Sequence, residues 1–337
     1  MNSIEIIDPR SLLRPWDLGT PTGVERLGGS NNASWRVTAA SGAYVIRLYR
    51  NTGNLSHIEF EHALLTQLIR LPLSFKVPAP LPSQSGRTLE RIEEGRDVRW
   101  VAVSRVIEGE HPRDWTALRW VRAAGAALGE LDVALAETTV PSGKVHLPTY
   151  GDLDRIHAVV PDPEAAVADL PVEESLTRSF IQFLGRARVN VAEMYGTLPH
   201  QIIHSDVDGS NLLFLGGRVS GILDFEFASP DLRAMDFAIA VVQTAVSPQL
   251  QGLELDVVRA LAGGYGTAVR LTPSEIEAIP DLLRLRGAVS VIHRLGRWKA
   301  GLSRLDAVES RIKHTIALDH WLETNRDALV SAVAAGS

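Results

Sequence analysis

The stretch His204-Ser205-Asp206-Val207-Asp208-Gly209-Ser210-Asn211-Leu212-Leu213-Phe214-Leu215-Gly216-Gly217-Arg218-Val219-Ser220-Gly221-Ile222-Leu223-Asp224-Phe225-Glu226 decides the reading of this chain. Two short apolar runs, Leu212 to Leu215 and Val219 to Leu223, flank Gly216-Gly217. Glycine accepts positive φ at both central positions of a primed two-residue turn, so this pattern predicts a tight β-hairpin. Pairing the strands around that turn sets Asn211 opposite Ile222, with Asp224 two residues beyond. At about 3.3 Å per residue, Asn211 and Asp224 are expected at the same end of the hairpin. Asp206 lies in the loop just ahead of Asn211.

Outward from the hairpin the chain divides by pattern. Before about residue 107, short β-rich runs at 24–28, 33–39, 44–49 and 100–103 enclose a single helical stretch that begins near Ser56. Ser56 and Glu59 have the spacing of a capping box. After about residue 113, apolar residues recur at helical spacing over 114–137, 174–194, 230–247, 253–268, 273–299 and 306–333. Only the strands at 202–227 interrupt them. We therefore expect an α+β protein with a small strand-rich lobe, residues 1–107, and a large mainly helical lobe, residues 108–337.

The side chains at the hairpin suggest a chemistry. An amide oxygen and a carboxylate, Asn211 and Asp224, are hard ligands suited to Mg²⁺ bound with a nucleotide's phosphates. Asp206 can orient an attacking hydroxyl and accept its proton. The pattern H-x-D-x-x-x-x-N, then a hairpin, then D-F resembles the catalytic core of the aminoglycoside phosphotransferase family. That family includes choline kinases and type II homoserine kinases and shares the protein-kinase fold. Arg218 to Ala228, followed by Asp231 and by Asp236-Phe237-Ala238, looks most like the homoserine kinase branch. The resemblance implies a two-lobed protein-kinase-like fold. It implies Asp206 as catalytic base, Asn211 and Asp224 as magnesium ligands, and His204 as a structural member of the catalytic loop. It also implies that Asp236 braces that loop from the following helix.

The strand-rich half carries looser signals. Gly28-Gly29-Ser30-Asn31, running on to Val37, resembles the family's nucleotide-binding turn, where small residues let backbone N–H groups approach phosphate oxygens. Kinase-like folds place a phosphate-holding lysine on the third strand; here Arg47 stands at that position. Arginine keeps the charge but has a forked geometry. Its expected partner is a glutamate on the following helix. Glu61 shares a face with Ile58, Leu64, Leu65 and Leu68, and an acid in an apolar stripe is costly to bury unless paired. Glu61 is therefore favoured over Glu59. Residues 104–109 fall where the hinge between lobes belongs.

Composition narrows the alternatives. The 337 residues carry 34 Lys and Arg against 40 Asp and Glu, a formal charge of −6, which argues against a dedicated nucleic-acid binder. The absence of cysteine removes disulfides, thiolate metal sites and a cysteine nucleophile. We read no signal peptide and no run long and apolar enough for a membrane helix, so the expectation is a cytoplasmic protein with a small-molecule partner. No Walker A motif, G-x-G-x-x-G, H-E-x-x-H or G-x-S-x-G is present. The expected reaction is transfer of the γ-phosphoryl group of ATP, with Mg²⁺, to a hydroxyl of a small molecule, a homoserine-like amino alcohol by preference. The alternatives are an aminoglycoside or amino-sugar acceptor, for which Asp208, Glu226 and Asp231 would supply acidic contacts, and a catalytically silent nucleotide-binding module. Arg286 and Arg294, on an arginine-rich helix, are candidates for a substrate carboxylate.

Overall fold

In the computed structural model, residues 8–28, 32–49, 55–94, 97–112, 117–139, 147–246 and 252–336 are described. They form two compact units. The first runs to Glu110 and takes in Thr138, Thr139 and Ser220–Glu226; the second holds His111–Glu137, the described chain from 147 to Val219, and that from Phe227 onward.

The first unit is a five-stranded antiparallel sheet in the order β1-β2-β3-β5-β4. Its strands are β1 (Pro21–Leu27), β2 (Ala33–Ala39), β3 (Gly42–Tyr49), β4 (Glu90–Glu94) and β5 (Asp97–Arg105), with one helix, α1 (Leu55–Leu68), after β3. Side chains alternate along β3. Tyr44, Ile46 and Leu48 are buried and pack with Val37, Val101 and Val103 on the core face, beneath Leu12, Leu13 and Trp16. That period of two turns Arg47 to the opposite face. Arg47 stands opposite Ser34 on one side and Ala102 on the other, in the middle of the sheet.

Helix α1 buries Ile58, Phe60, Glu61, Leu64, Leu65 and Leu68. It begins at Leu55, one residue ahead of Ser56. Ser56 therefore lies inside the first turn and is not the cap, which corrects the capping-box expectation for Ser56 and Glu59. Segment 220–226 joins this unit through Lys76: Lys76 N–H donates to the Ser220 carbonyl and Ile222 N–H to the Lys76 carbonyl, both at 3.0 Å. Gly221 is needed there because a Cβ would lie 2.7 Å from Ile107.

The second unit is mainly helical: α2 (Leu118–Ala136), α3 (Pro163–Ala168), α4 (Glu174–Ala187), α5 (Val191–Thr197), α6 (Arg233–Ala245), α7 (Leu255–Tyr265), α8 (Pro273–Lys299) and α9 (Leu305–Ala334). Two short strands, β6 (His200–Ile203) and β9 (Ser229–Leu232), pair antiparallel. The ribbon of β7 (Leu212–Leu215) and β8 (Arg218–Ile222) turns at Gly216 and Gly217, whose φ values of 59° and 83° are those of a primed turn. The helix expected over 174–194 is broken. Asn190 adopts φ 62°, so α4 ends and α5 restarts after it. Helix α8 opens with a capping box, Thr272 accepting from Glu275 N–H at 3.2 Å and Glu275 accepting from Thr272 N–H at 2.8 Å. Helices α2 and α7 meet backbone to backbone. A Cβ on Gly125 would lie 2.2 Å from the Leu261 carbonyl oxygen, and one on Gly264 would lie 2.0 Å from that of Arg122.

Candidate active site

The functional candidates fall into two clusters, one in each unit. In the first, Arg47 is the centre. Its Nη1 donates to Glu61 Oε1 at 3.0 Å, its Nη2 donates to Asp224, and Nη2 lies 3.5 Å from Glu226 Oε2. Glu61, not Glu59, meets it, because the core stripe of α1 carries Glu61 inward to 2% exposure. The Arg47 guanidinium also lies 5.6 Å from the centre of the Tyr49 ring. Tyr49 in turn reaches Glu61 at 3.4 Å and His62 at 3.1 Å. Asn32 Nδ2 donates to Glu226 Oε2 at 2.7 Å, and His57 meets the Glu226 carbonyl.

This cluster sets one guanidinium against three carboxylates. Burial pushes the Glu61 carboxyl up to about 7, with Asp224 and Glu226 adding to the rise and Arg47 opposing it. Burial also pushes His62 down to about 4, helped by Arg47. Burial works against the charge on Arg47, yet the carboxylates hold it protonated. Asp224 is one of three non-glycine residues with positive φ among the described residues, at 62°. Such backbone strain collects at functional positions.

The second cluster is built on a strapped loop. His204 is fully buried, and Ser205 sits at φ 70°. Asp236, in the first turn of α6, accepts the backbone N–H of His204 at 2.6 Å and of Ser205 at 2.9 Å. His204 Nδ1 accepts from the backbone N–H of Asp206 at 3.2 Å. Asn211 Nδ2 donates to the Asp206 carbonyl at 2.8 Å and to Asp206 Oδ2 at 3.1 Å. Gln243 of α6 reaches Asp206 Oδ1 at 3.4 Å. Behind the loop, burial raises the carboxyl pKa of both Asp132 and Asp236, which hydrogen-bond each other. Tyr265 donates to Asp132 at 2.6 Å.

The remaining candidates are spread differently. Asp208 caps its own turn, accepting from Ser210 N–H at 2.6 Å and Asn211 N–H at 3.2 Å. Asp231 is fully buried and accepts from Tyr195 at 2.7 Å, Tyr150 N–H at 2.8 Å and Leu232 N–H at 2.6 Å. Its carboxylate is thus committed to the fold, and it is not a substrate contact. Glu226 belongs with Arg47. Gly28 is exposed with open space around it. Gly29, Ser30 and Asn31 lie outside the described residues. Arg286 lies over the ring of Tyr150, 6.0 Å from its centre, and Tyr150 OH donates to the Ser205 carbonyl at 3.5 Å. Asn32, Tyr49, His57, Tyr150 and Gln243 join the clusters without having been singled out in the sequence. Among them only Asn32, next to the glycine-rich turn, stood near a readable signal.

Comparison with known proteins follows the same lines. The Phosphotransferase enzyme family matches residues 22–272. Homoserine kinase of Rhizobium meliloti (strain 1021) is 28% identical over 296 residues, covering 85% of this chain and 82% of that protein. Homoserine kinase of Parvibaculum lavamentivorans is 28% identical over 288 residues, covering 81% and 80%. Among solved structures, a microcompartment-associated aminopropanol kinase superposes with a TM-score of 0.70 at 20% identity, covering 94% of this chain and 97% of the other. An aminoglycoside phosphotransferase from Alicyclobacillus acidocaldarius gives 0.64 at 15% identity, covering 97% and 96%. The fold is the α+β, two-lobed, protein-kinase-like one, and among the described residues no helix is long and apolar enough to cross a membrane. The loop of Asp206 and Asn211 and the ion-paired Arg47 thus stand in a chain that belongs to the Phosphotransferase enzyme family, as a small-molecule kinase with an alcohol group as acceptor.

Proposed function

We propose that this chain transfers the γ-phosphoryl group of ATP to the hydroxyl of a homoserine-like amino alcohol, in the cytoplasm, where ATP is supplied. The strand-rich part, residues 1–107, serves the nucleotide; the helical part, residues 108–337, serves the acceptor. The observation that carries this reading is the strapped loop. Asp236 fixes the backbone at His204 and Ser205, and Asn211 and Gln243 aim the Asp206 carboxylate. Asp206 then accepts the hydroxyl proton as the acceptor oxygen attacks phosphorus. Phosphoryl transfer is mostly positioning and electrostatics, and a preset carboxylate supplies the first of these.

Mg²⁺ fits the residues present. The Arg47 cluster carries an excess of carboxylate over guanidinium, which a divalent cation at Asp224 would balance. The amide nitrogen of Asn211 is spent on Asp206, so its oxygen is the atom that would hold the ion. When bound, the ion supplies neutralisation of the phosphate charge. Arg47, held by Glu61, contacts the nucleotide phosphates. His204 stays inside the loop as a structural member.

An acidic pocket for a polycationic aminoglycoside has little support, since Asp208, Asp231 and Glu226 are all engaged internally. The test is ATP consumption with Mg²⁺ against L-homoserine, amino alcohols and aminoglycosides. Turnover with L-homoserine above all, none with aminoglycosides, and its loss in Asp206→Asn are the expected result. Equal rates in wild type and Asp206→Asn would remove the catalytic assignment.

A further inference from the structure

Three arginines of the helical unit stand apart from this machinery. Arg286 and Arg294 lie on α8, and Arg311 lies on α9, which packs along α8. Two other arginines of these helices are paired with carboxylates. Arg284 meets Asp281 at 2.8 Å and Asp319 at 2.7 Å, and Arg326 meets Asp281 at 3.4 Å. Among the described residues, no ion pair joins Arg286, Arg294 or Arg311 to a carboxylate. Arg286 Nε is buried without a hydrogen-bond partner.

Arg311 stands within reach of the charges of the other two. Burial lowers the pKa of Arg311, and Arg294 and Arg286 lower it further. His293, on α8, is pushed down to about 4 by burial, by His157 and by Arg297, Arg286 and Arg294. Like charges gathered in a half-buried place are unfavourable until an anion joins them. Arg286 is also tied to the catalytic loop, because the Tyr150 ring beneath it has its hydroxyl on the carbonyl of Ser205, the neighbour of Asp206. Tyr150 itself is pushed up to about 12 by burial, Arg286 opposing the rise and Asp231, Asp206 and Asp236 adding to it. The cationic group thus begins one aromatic ring away from the proton acceptor.

We propose that Arg286, Arg294 and Arg311 bind the carboxylate of the phosphoryl acceptor, so that the substrate is a hydroxy acid and the acid group, not an amine, determines specificity. This deepens the kinase reading above and rests on it for the identity of the reacting hydroxyl. Guanidinium groups grip carboxylate oxygens in pairs, and three of them exceed what a neutral or cationic acceptor requires.

The test uses four probes: L-homoserine, 4-hydroxybutyrate, L-homoserine amide and L-homoserinol. Both acids are expected to be phosphorylated, and neutralising the carboxylate is expected to lower kcat/KM by about 10²-fold or more. Arg286→Met, Arg294→Met and Arg311→Met should raise KM for the acids by about 10–100-fold, leave kcat within a few-fold, and leave the amide and the alcohol unaffected. Because each substitution relieves crowding, the unliganded variants should melt at or above the wild-type temperature. Equal use of acids and neutral analogues, or unchanged KM in all three variants, overturns the inference while leaving the kinase reading intact. If no probe is phosphorylated, the proposed acceptor class falls instead. The inference is then decided by thermal shift with 4-hydroxybutyrate against L-homoserine amide. Stabilisation by the acid alone, abolished in Arg286→Met, supports it; no shift, or equal shifts, refutes it.

Discussion

The two clusters hold their key side chains by opposite means. Around Arg47 the interactions are between charges, and the group is out of balance, with three carboxylates on one cation. Around Asp206 the interactions are hydrogen bonds to backbone and amide, and the work is done by an acid, Asp236, that never meets solvent. The first arrangement suits a ligand that brings charge with it. The second suits a base whose position must be set before any ligand arrives. Both pass through a left-handed non-glycine residue, Asp224 in one and Ser205 in the other, so strain is common to the two although the restraint differs.

That contrast can be broken most directly at Asp206. Asp206→Asn keeps the shape and the hydrogen bonds from Asn211 and Gln243 largely possible, but removes the proton acceptor. Turnover should fall by about 10²–10⁴-fold with the melting temperature unchanged, as read by coupled assay and thermal denaturation. Asp236→Ala acts on the restraint itself. It leaves the N–H groups of His204 and Ser205 without their buried acceptor, and should cost about 2–5 kcal/mol in denaturant titration along with most of the activity. If Asp236→Ala lost activity with full stability, the strap would be more than structural.

Glu61→Gln sharpens the other side. KM for ATP should rise about tenfold, with a smaller change in kcat, as Arg47 loses one charged anchor. Its stability profile is the cleaner reading. The Glu61 carboxyl is held near 7 in the fold against 4.5 as the ordinary value. Between those pH values the native chain keeps a proton that the unfolded chain has released, so this group's contribution to stability falls as pH rises through the window. Denaturation of wild type and Glu61→Gln at pH 4.5 to 7.5 should show that slope in the first and not in the second. Gly264→Ala has the smallest expected effect on chemistry. Its Cβ would meet the Arg122 carbonyl oxygen at 2.0 Å, so stability should drop by about 1–3 kcal/mol, while kcat measured well below the melting point stays near wild type.

What was readable in the sequence was local. The hairpin follows from two apolar runs and a glycine pair, and the H-x-D-x-x-x-x-N spacing lies within eight residues of chain. The pairing of Arg47 with Glu61 followed from a helical stripe that could not leave an acid unpaired. The unreadable parts depend on distant chain segments. Tyr150 reaches Ser205 across 55 residues and Gln243 reaches Asp206 across 37, with no periodicity to announce either. Asp231 looked like a substrate acid because sequence shows charge and not burial. The break at Asn190 was hidden because a single left-handed residue interrupts a helix without disturbing its composition.

The glycine contact between α2 and α7 reaches further than its distance from the catalytic loop suggests. Helix α2 carries Asp132, which receives Tyr265 from α7 and stands behind Asp236. Two backbones in direct contact have no side chain to rearrange, so the seam cannot absorb a mutation by sliding. A screen for temperature-sensitive variants of this kinase should therefore recover Gly125 and Gly264 ahead of residues in the reaction centre, as proteins active when cool and inactive when warmed.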